Sequence, residues 1–148
     1  MVAITKNRKI NWTQPGKWKK ASYNTFWCLL GCSIGDLGTI AYFQFTGTQW
    51  PTLMIMCLAI VMGLLTSLLL ETIVLSTQMA ISAALRTALG MSMISMVSME
   101  VAMNLMDIIL TGGALLTWWV IPIMLTAGFV TPLPYNYWRL EVLGKACH

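Results

Sequence analysis

The chain has 148 residues, 57% of them hydrophobic and only 9% charged, with a mean hydropathy of +0.73. That length suits one domain, and that composition excludes an ordinary soluble one. The net charge of +4 is concentrated at one end: Lys6, Arg8, Lys9, Lys17, Lys19 and Lys20 are six of the nine basic residues. An apolar run of span length follows directly, so they read as a juxtamembrane segment facing anionic headgroups and not as a nucleic-acid surface.

Residues 1–21 form this basic segment. They contain no early apolar core of a cleavable signal, so the N-terminus is expected to be retained. The first span is predicted over residues 22–45. Trp18, Tyr23 and Trp27 suit one interface and Trp50 the other. Gly31, Gly35 and Gly38 lie within it, and a Gly-x-x-x-Gly spacing lets a neighbouring helix approach closely. Pro51 opens the second span as a first-turn residue. Residues 53–70 are uncharged and long enough to cross, and Glu71 falls at the far end. The short link 46–50 makes these two helices an antiparallel hairpin.

Residues 72–90 are apolar but carry Gln78, Arg86 and several Ser and Thr, and are read as a helical interfacial connection. The third span is expected over 88–110, stopped by Thr111-Gly112-Gly113. The fourth covers 114–130, kinked at Pro122 and ended by Pro132 and Pro134. Residues 134–148 then form a polar tail. The predicted architecture is all-α: an integral membrane bundle of four transmembrane helices over 22–133. The N-terminal cluster, Arg86, Arg139 and Lys145 all fall on one side of such a bundle. That asymmetry predicts a multi-pass protein of the cell membrane with both termini cytoplasmic.

Four carboxylic acids interrupt the apolar runs: Asp36, Glu71, Glu100 and Asp107. A charge at the bilayer centre costs roughly 2.5–3.5 kcal/mol on insertion scales, so such groups face protein, water or an ion. Asp36 and Glu100 lie near mid-span, where two close carboxylates could share a proton. In the third span Met96, Met99, Met103 and Met106 form one stripe, and Glu100, Asn104 and Asp107 an adjoining one. The Met residues serve as flexible core filler or, beside carboxylates, as a copper path.

Cys28, Cys32 and Asp36 recur every four residues on one helix face. Thiolates with a carboxylate are ligands for Cu(I) or Zn, although two thiols on one helix do not complete a site. Cys147, His148 and the terminal carboxylate could form a second soft-metal site. The alternative for Cys28 and Cys32 is small residues packed at a glycine-rich interface, and Cys57, embedded in an apolar segment, is expected to be a buried free thiol. The pattern is not that of a secreted disulfide scaffold. With one His, and no phosphate loop, catalytic triad or dinucleotide fingerprint, no self-sufficient enzyme is expected.

The run Cys28-Leu29-Leu30-Gly31-Cys32-Ser33-Ile34-Gly35-Asp36 resembles the C-x-x-G-C-x-x-G-D signature of a small membrane family of unknown function, DUF4396. The tail, Pro134-Tyr135-Asn136-Tyr137-Trp138-Arg139-Leu140 with Gly144-Lys145-Ala146-Cys147-His148, resembles that of archaeal members. The likeness covers residues 22–148. In the family pattern a His often precedes the first Cys. Trp27 stands there in this chain and removes that ligand. The resemblance implies a compact helical bundle and copper-associated physiology, with no known activity. The Met-rich, copper-leaning composition further suggests an accessory subunit of an archaeal copper membrane monooxygenase such as ammonia monooxygenase. The expected role is therefore a non-catalytic subunit partnered by other integral membrane subunits. Two alternatives stay open: a stand-alone copper-handling protein, and a small proton or ion carrier using Asp36, Glu100 and Asp107.

Overall fold

The computed structural model describes residues 10–143, the side chains of Met91 and Leu143 apart. Five helices follow one another: α1 Pro15–Thr46, α2 Thr52–Ser76, α3 Ile81–Thr111, α4 Val120–Val130 and α5 Leu133–Leu143. No strand occurs among the described residues. Helices α1, α2 and α3 each contain a stretch long and apolar enough to cross a membrane.

Helix α1 starts at Pro15, earlier than the expected residue 22, because Pro fits the first turn and the lysines beyond it are good helix formers. Its 32 residues reach about 48 Å at 1.5 Å per residue. A hydrocarbon core of about 30 Å leaves the basic lower turns outside it. Gly47 ends the helix with φ +65°, a left-handed cap that a residue with a Cβ rarely adopts. Gly112 does the same for α3, with φ +78°. The stretch 72–90 is helical as expected, except for a turn at residues 77–80 that divides α2 from α3.

The fourth segment departs from expectation. Residues 112–119 carry no helix, and α4 has only 11 residues. Two side-chain anchors, exposed Gln44 and buried Asp107, hold the irregular stretch. Gln44 accepts from the Leu116 N–H at 2.9 Å and donates to the Leu116 carbonyl at 3.3 Å. Asp107 accepts from the Leu115 N–H at 3.2 Å. These bonds replace the intrahelical ones that an unbroken helix would have supplied. Pro122 does not kink a helix after all. It sits in the first turn of α4, where its missing N–H has no intrahelical partner to lose.

Within the polar tail, residues 133–143 form α5, docked on α1. Tyr137 is fully buried, stacked on Trp18 at 4.4 Å and Trp12 at 5.1 Å between ring centroids. Its hydroxyl donates to the Asn11 carbonyl. Asn136 donates to Thr25 Oγ1 at 2.7 Å, and Lys17 pairs with Glu141. The start of α1 and α5 therefore share one end of the molecule, and the 47–51 and 112–119 turns share the other.

The exterior and interior are inverted relative to a water-soluble protein. Along α2, Leu53, Met54, Leu58, Val61, Leu65, Leu69 and Ile73 are exposed, while Asp36, Glu100 and Asp107 are fully buried. Apolar side chains outward with carboxyls inward is the arrangement a lipid surround favours.

Candidate functional site

The polar interior begins with a close approach of α1 and α2. Helix α2 turns a row spaced by four residues toward its neighbours: Ile55, Ala59, Gly63, Ser67, Glu71 and Leu75. Three members of the row are small, so backbones meet. A Cβ on Gly31 would lie 2.7 Å from Ser67 Cα. One on Gly35 would overlap the Met62 carbonyl and the Thr66 hydroxyl. Thr66 donates to the Gly31 carbonyl at 2.7 Å, and Ser67 to the Cys28 carbonyl at 3.2 Å. Gly38, expected to pack in the same way, does not: no atom lies within 4 Å of a Cβ built there. At its level α1 opens on a groove of about 410 Å³ lined by Ile34, Thr39, Tyr42, Leu58 and Met62.

Gly63 has a second use. Its missing Cβ leaves the space that the Glu100 carboxyl group of α3 occupies. Glu100 thus lies against bare α2 backbone, with the Cys32 thiol of α1 beside it. Cys32 in turn neighbours Cys28, whose sulfur is 3.6 Å from Ser67 Oγ. One turn further along α3, Asn104 donates to Asp36 Oδ1 at 2.9 Å and to its own helix at the Glu100 carbonyl, 3.1 Å away. Asp36 is within electrostatic reach of both Glu100 and Asp107.

The four acids fall into two kinds. Asp107 is satisfied, accepting from Thr111 Oγ1 at 3.0 Å on one oxygen and from the Leu115 N–H on the other. Glu71 accepts from Ser92 Oγ at 2.5 Å. Asp36 and Glu100 differ. Asp36 Oδ2 and Asn104 Oδ1 are buried without a hydrogen-bond partner among the described residues, and the polar group beside the buried Glu100 carboxyl is the Cys32 thiol. No Lys or Arg forms an ion pair with Asp36, Glu100 or Asp107 among the described residues. A buried charge in such surroundings is costly unless a proton or a cation neutralises it.

The structure brings together Cys28, Cys32, Asp36 and Glu100, with Glu71 toward one end and Asp107 toward the other. Among the described residues no three His, Cys, Asp or Glu side chains converge so as to hold a metal ion. Cys147 and His148 lie outside the described residues. Cys57, expected to be a buried thiol, is instead exposed on the apolar outer face of α2. The Met stripe packs as core: Met96, Met99 and Met103 are fully buried against Leu29, Cys32 and Met124. Sequence reasoning missed Gly63, Ser67 and Ser92. Gly63 and Ser67 had a readable signal, a row of small residues every fourth position on α2. Ser92 had none, since one serine in a serine-rich stretch does not stand out.

The signature run on α1 gains a physical meaning here. Gly31 and Gly35 admit α2, and Cys32 and Asp36 face α3. Residues 17–145 match the model of a family described as Domain of unknown function (DUF4396). No curated protein and no solved structure matches the chain.

Proposed function

The chain belongs to the DUF4396 family, and from that premise we propose that it is a non-catalytic integral membrane subunit of a larger assembly. The observation that carries this reading is the groove beside Gly38. It is open and about 410 Å³ in volume, and a glycine on its wall has empty space above it. Small residues on an outward helix face suit the close approach of another transmembrane helix, because association in lipid relies on packing. The occupant we assign is a helix of a partner subunit.

The proposed setting is the cell membrane, crossed four times, with both termini cytoplasmic. The asymmetry of basic residues supports the orientation. The irregular stretch 112–119 with α4 supplies the fourth crossing. Gln44 and Asp107 support that reading, since they satisfy the non-helical backbone from within the protein, as a membrane segment requires. The Met-rich composition and the archaeal-like tail favour the copper-dependent ammonia monooxygenase of archaea as the assembly. In this reading other subunits hold the copper.

Mild native extraction followed by mass spectrometry and metal analysis tests the proposal. The expected result is co-migration with monooxygenase subunits at fixed stoichiometry, and a Gly38→Leu variant that stays folded but leaves the complex. A chain that migrates alone, or that carries copper when purified by itself, would overturn it in favour of a metal-handling protein.

A further inference from the structure

We propose that the outer groove between the start of α1 and the end of α4 seats one anionic phospholipid, with its headgroup phosphate on Lys19 and Lys20 and an acyl chain along Phe26 and Phe129. The inference turns the general headgroup contact of the basic segment into a built site, and it does not depend on the subunit role. It rests on the shape of the groove, its depth in the membrane and its charge.

The groove is open and about 590 Å³ in volume, lined by Lys19, Lys20, Ser22, Tyr23, Phe26 and Phe129. Lys19, Tyr23 and Phe26 follow one another at steps of four and three, so they form one stripe along α1. Phe129, in the last turn of α4, adds a wall from a second helix. Trp27 braces the stripe, edge-on to Tyr23 at 6.2 Å and to Phe26 at 6.3 Å between ring centroids. At the lower end Gly16 leaves room for a headgroup, since no atom lies within 4 Å of a Cβ built there.

The two ends of this groove fall where a lipid changes character. A hydrocarbon core of about 30 Å, counted back from Thr46 at 1.5 Å per residue, ends at about residue 26. Phe26 therefore marks the edge of the core. Lys19 lies about 10 Å outside it along the same helix, at the level of the headgroups. Tyr23 comes between, where rings with a polar tip settle. Tyr23 and Phe26 stay 58% and 53% exposed, so both keep apolar surface for a chain to cover.

The charge of the groove is uncompensated. Lys17 is paired with Glu141, whereas no ion pair holds Lys19 or Lys20 among the described residues. No acid lines the groove among them either. Two adjacent cations beside exposed aromatic rings suit a phosphate carried on an apolar chain, because each part meets its complement. A partner's transmembrane helix seated here would have to cover the same lysines, and burying a cation is costly without an acid beside it. The groove at Gly38 has no basic residue on its wall and so lacks this preference.

The test uses the purified full chain in phosphatidylcholine vesicles that contain phosphatidylglycerol with a photoreactive acyl chain, or phosphatidylcholine tagged in the same way, followed by mapping of the cross-linked peptides. The phosphatidylglycerol probe should label the segments around Phe26 and Phe129 several-fold more than the other. Untagged phosphatidylglycerol should compete, and free glycerol phosphate should not. Each lysine near an anionic surface is worth roughly fivefold, so Lys19→Gln with Lys20→Gln should raise the probe concentration for half-maximal labelling by roughly 25-fold. Phe26→Ala should weaken labelling near Phe129 with no change of charge. Arg86→Gln, which removes a charge at the same end of the molecule, should label as wild type. All these side chains are exposed, so helix content and melting temperature should be retained. Equal labelling by the two probes would sink the proposal, as would labelling confined to the outer face of α2. A loss in Arg86→Gln as large as in the lysine variant would reduce the lysines to general surface charge, and competition by glycerol phosphate would show that no chain is seated. A photoreactive residue at position 26 that captures a protein chain and no lipid in native membranes would assign the groove to a partner instead. Because the vesicles hold no partner, failure there leaves the subunit reading standing, and a chain that migrates alone leaves this site standing.

Discussion

Single residues explain why the four intramembrane acids are not equivalent. Asp107 works on the backbone, holding Leu115 and Thr111 where α3 breaks off. Glu100 lies beside the Cys32 thiol against bare α2 backbone, and it fits only because position 63 has no side chain. Glycines on the same helix are just as unequal. Gly35→Leu should destabilise the protein by about 1–3 kcal/mol or more, since the new side chain meets the Met62 carbonyl and Thr66 at the α1–α2 contact. Gly38→Leu has open space and should leave the melting temperature of the isolated chain nearly unchanged. Thermal unfolding in detergent separates the two. Equal melting temperatures for both variants would mean that the helix contact at Gly35 is looser than described.

At the level of elements, α5 is the part of the chain whose role the sequence concealed. It is polar and begins between two prolines, Pro132 just before it and Pro134 in its first turn, yet it docks against α1 through the Trp12–Tyr137–Trp18 stack and the Asn136–Thr25 bond. Tyr137→Ala should cost about 3–5 kcal/mol, in the range for truncating a buried aromatic. It should also free α5, so that protease cuts near Thr131 far faster than in wild type. Tyr137→Phe keeps the stack and loses only the bond to the Asn11 carbonyl, about 1 kcal/mol. Slow proteolysis of Tyr137→Ala at the wild-type rate would show that α5 is held by other contacts. The prolines mark element starts here. Pro15, Pro122 and Pro134 each fall in a first turn, where the missing N–H is no loss.

For the whole molecule, inversion of polarity is the organising fact. Exposed leucines and isoleucines surround buried carboxyls, so the solvent the fold expects laterally is lipid. The two turns at 47–51 and 112–119 lie at one end, and the basic start of α1 lies with α5 at the other. Cysteines introduced at Thr48 and Leu115, with the native thiols replaced, should both react with a membrane-impermeant reagent added outside intact cells. These positions avoid the left-handed backbone of Gly47 and Gly112. Cysteine at Lys19 should react only after the membrane is opened. Labelling of Thr48 and Leu115 from opposite sides would refute the hairpin arrangement, and labelling of both only from within would reverse the orientation.

The amino-acid sequence by itself determined the helical class, the inward faces of α1 and α3, and the burial of the acids. Each follows from local rules: apolar run length, a period of 3.6, and the cost of a carboxyl in hydrocarbon. Glu100, Asn104 and the Met stripe were legible because they repeat along α3, and Asp36 because it recurs with Cys28 and Cys32 along α1. Tertiary structure alone decided what depends on two elements at once. The space for Glu100 is made by Gly63 on another helix, and the satisfaction of Asp107 depends on where α3 stops. The late start of α4 depends on Gln44 reaching across from α1, and the docking of α5 on aromatic rings more than a hundred residues away in the chain. A periodic pattern says which way a side chain faces along its own helix. What that side chain meets is set by the register between helices, and that register is fixed only when small residues such as Gly31, Gly35 and Gly63 let the backbones close.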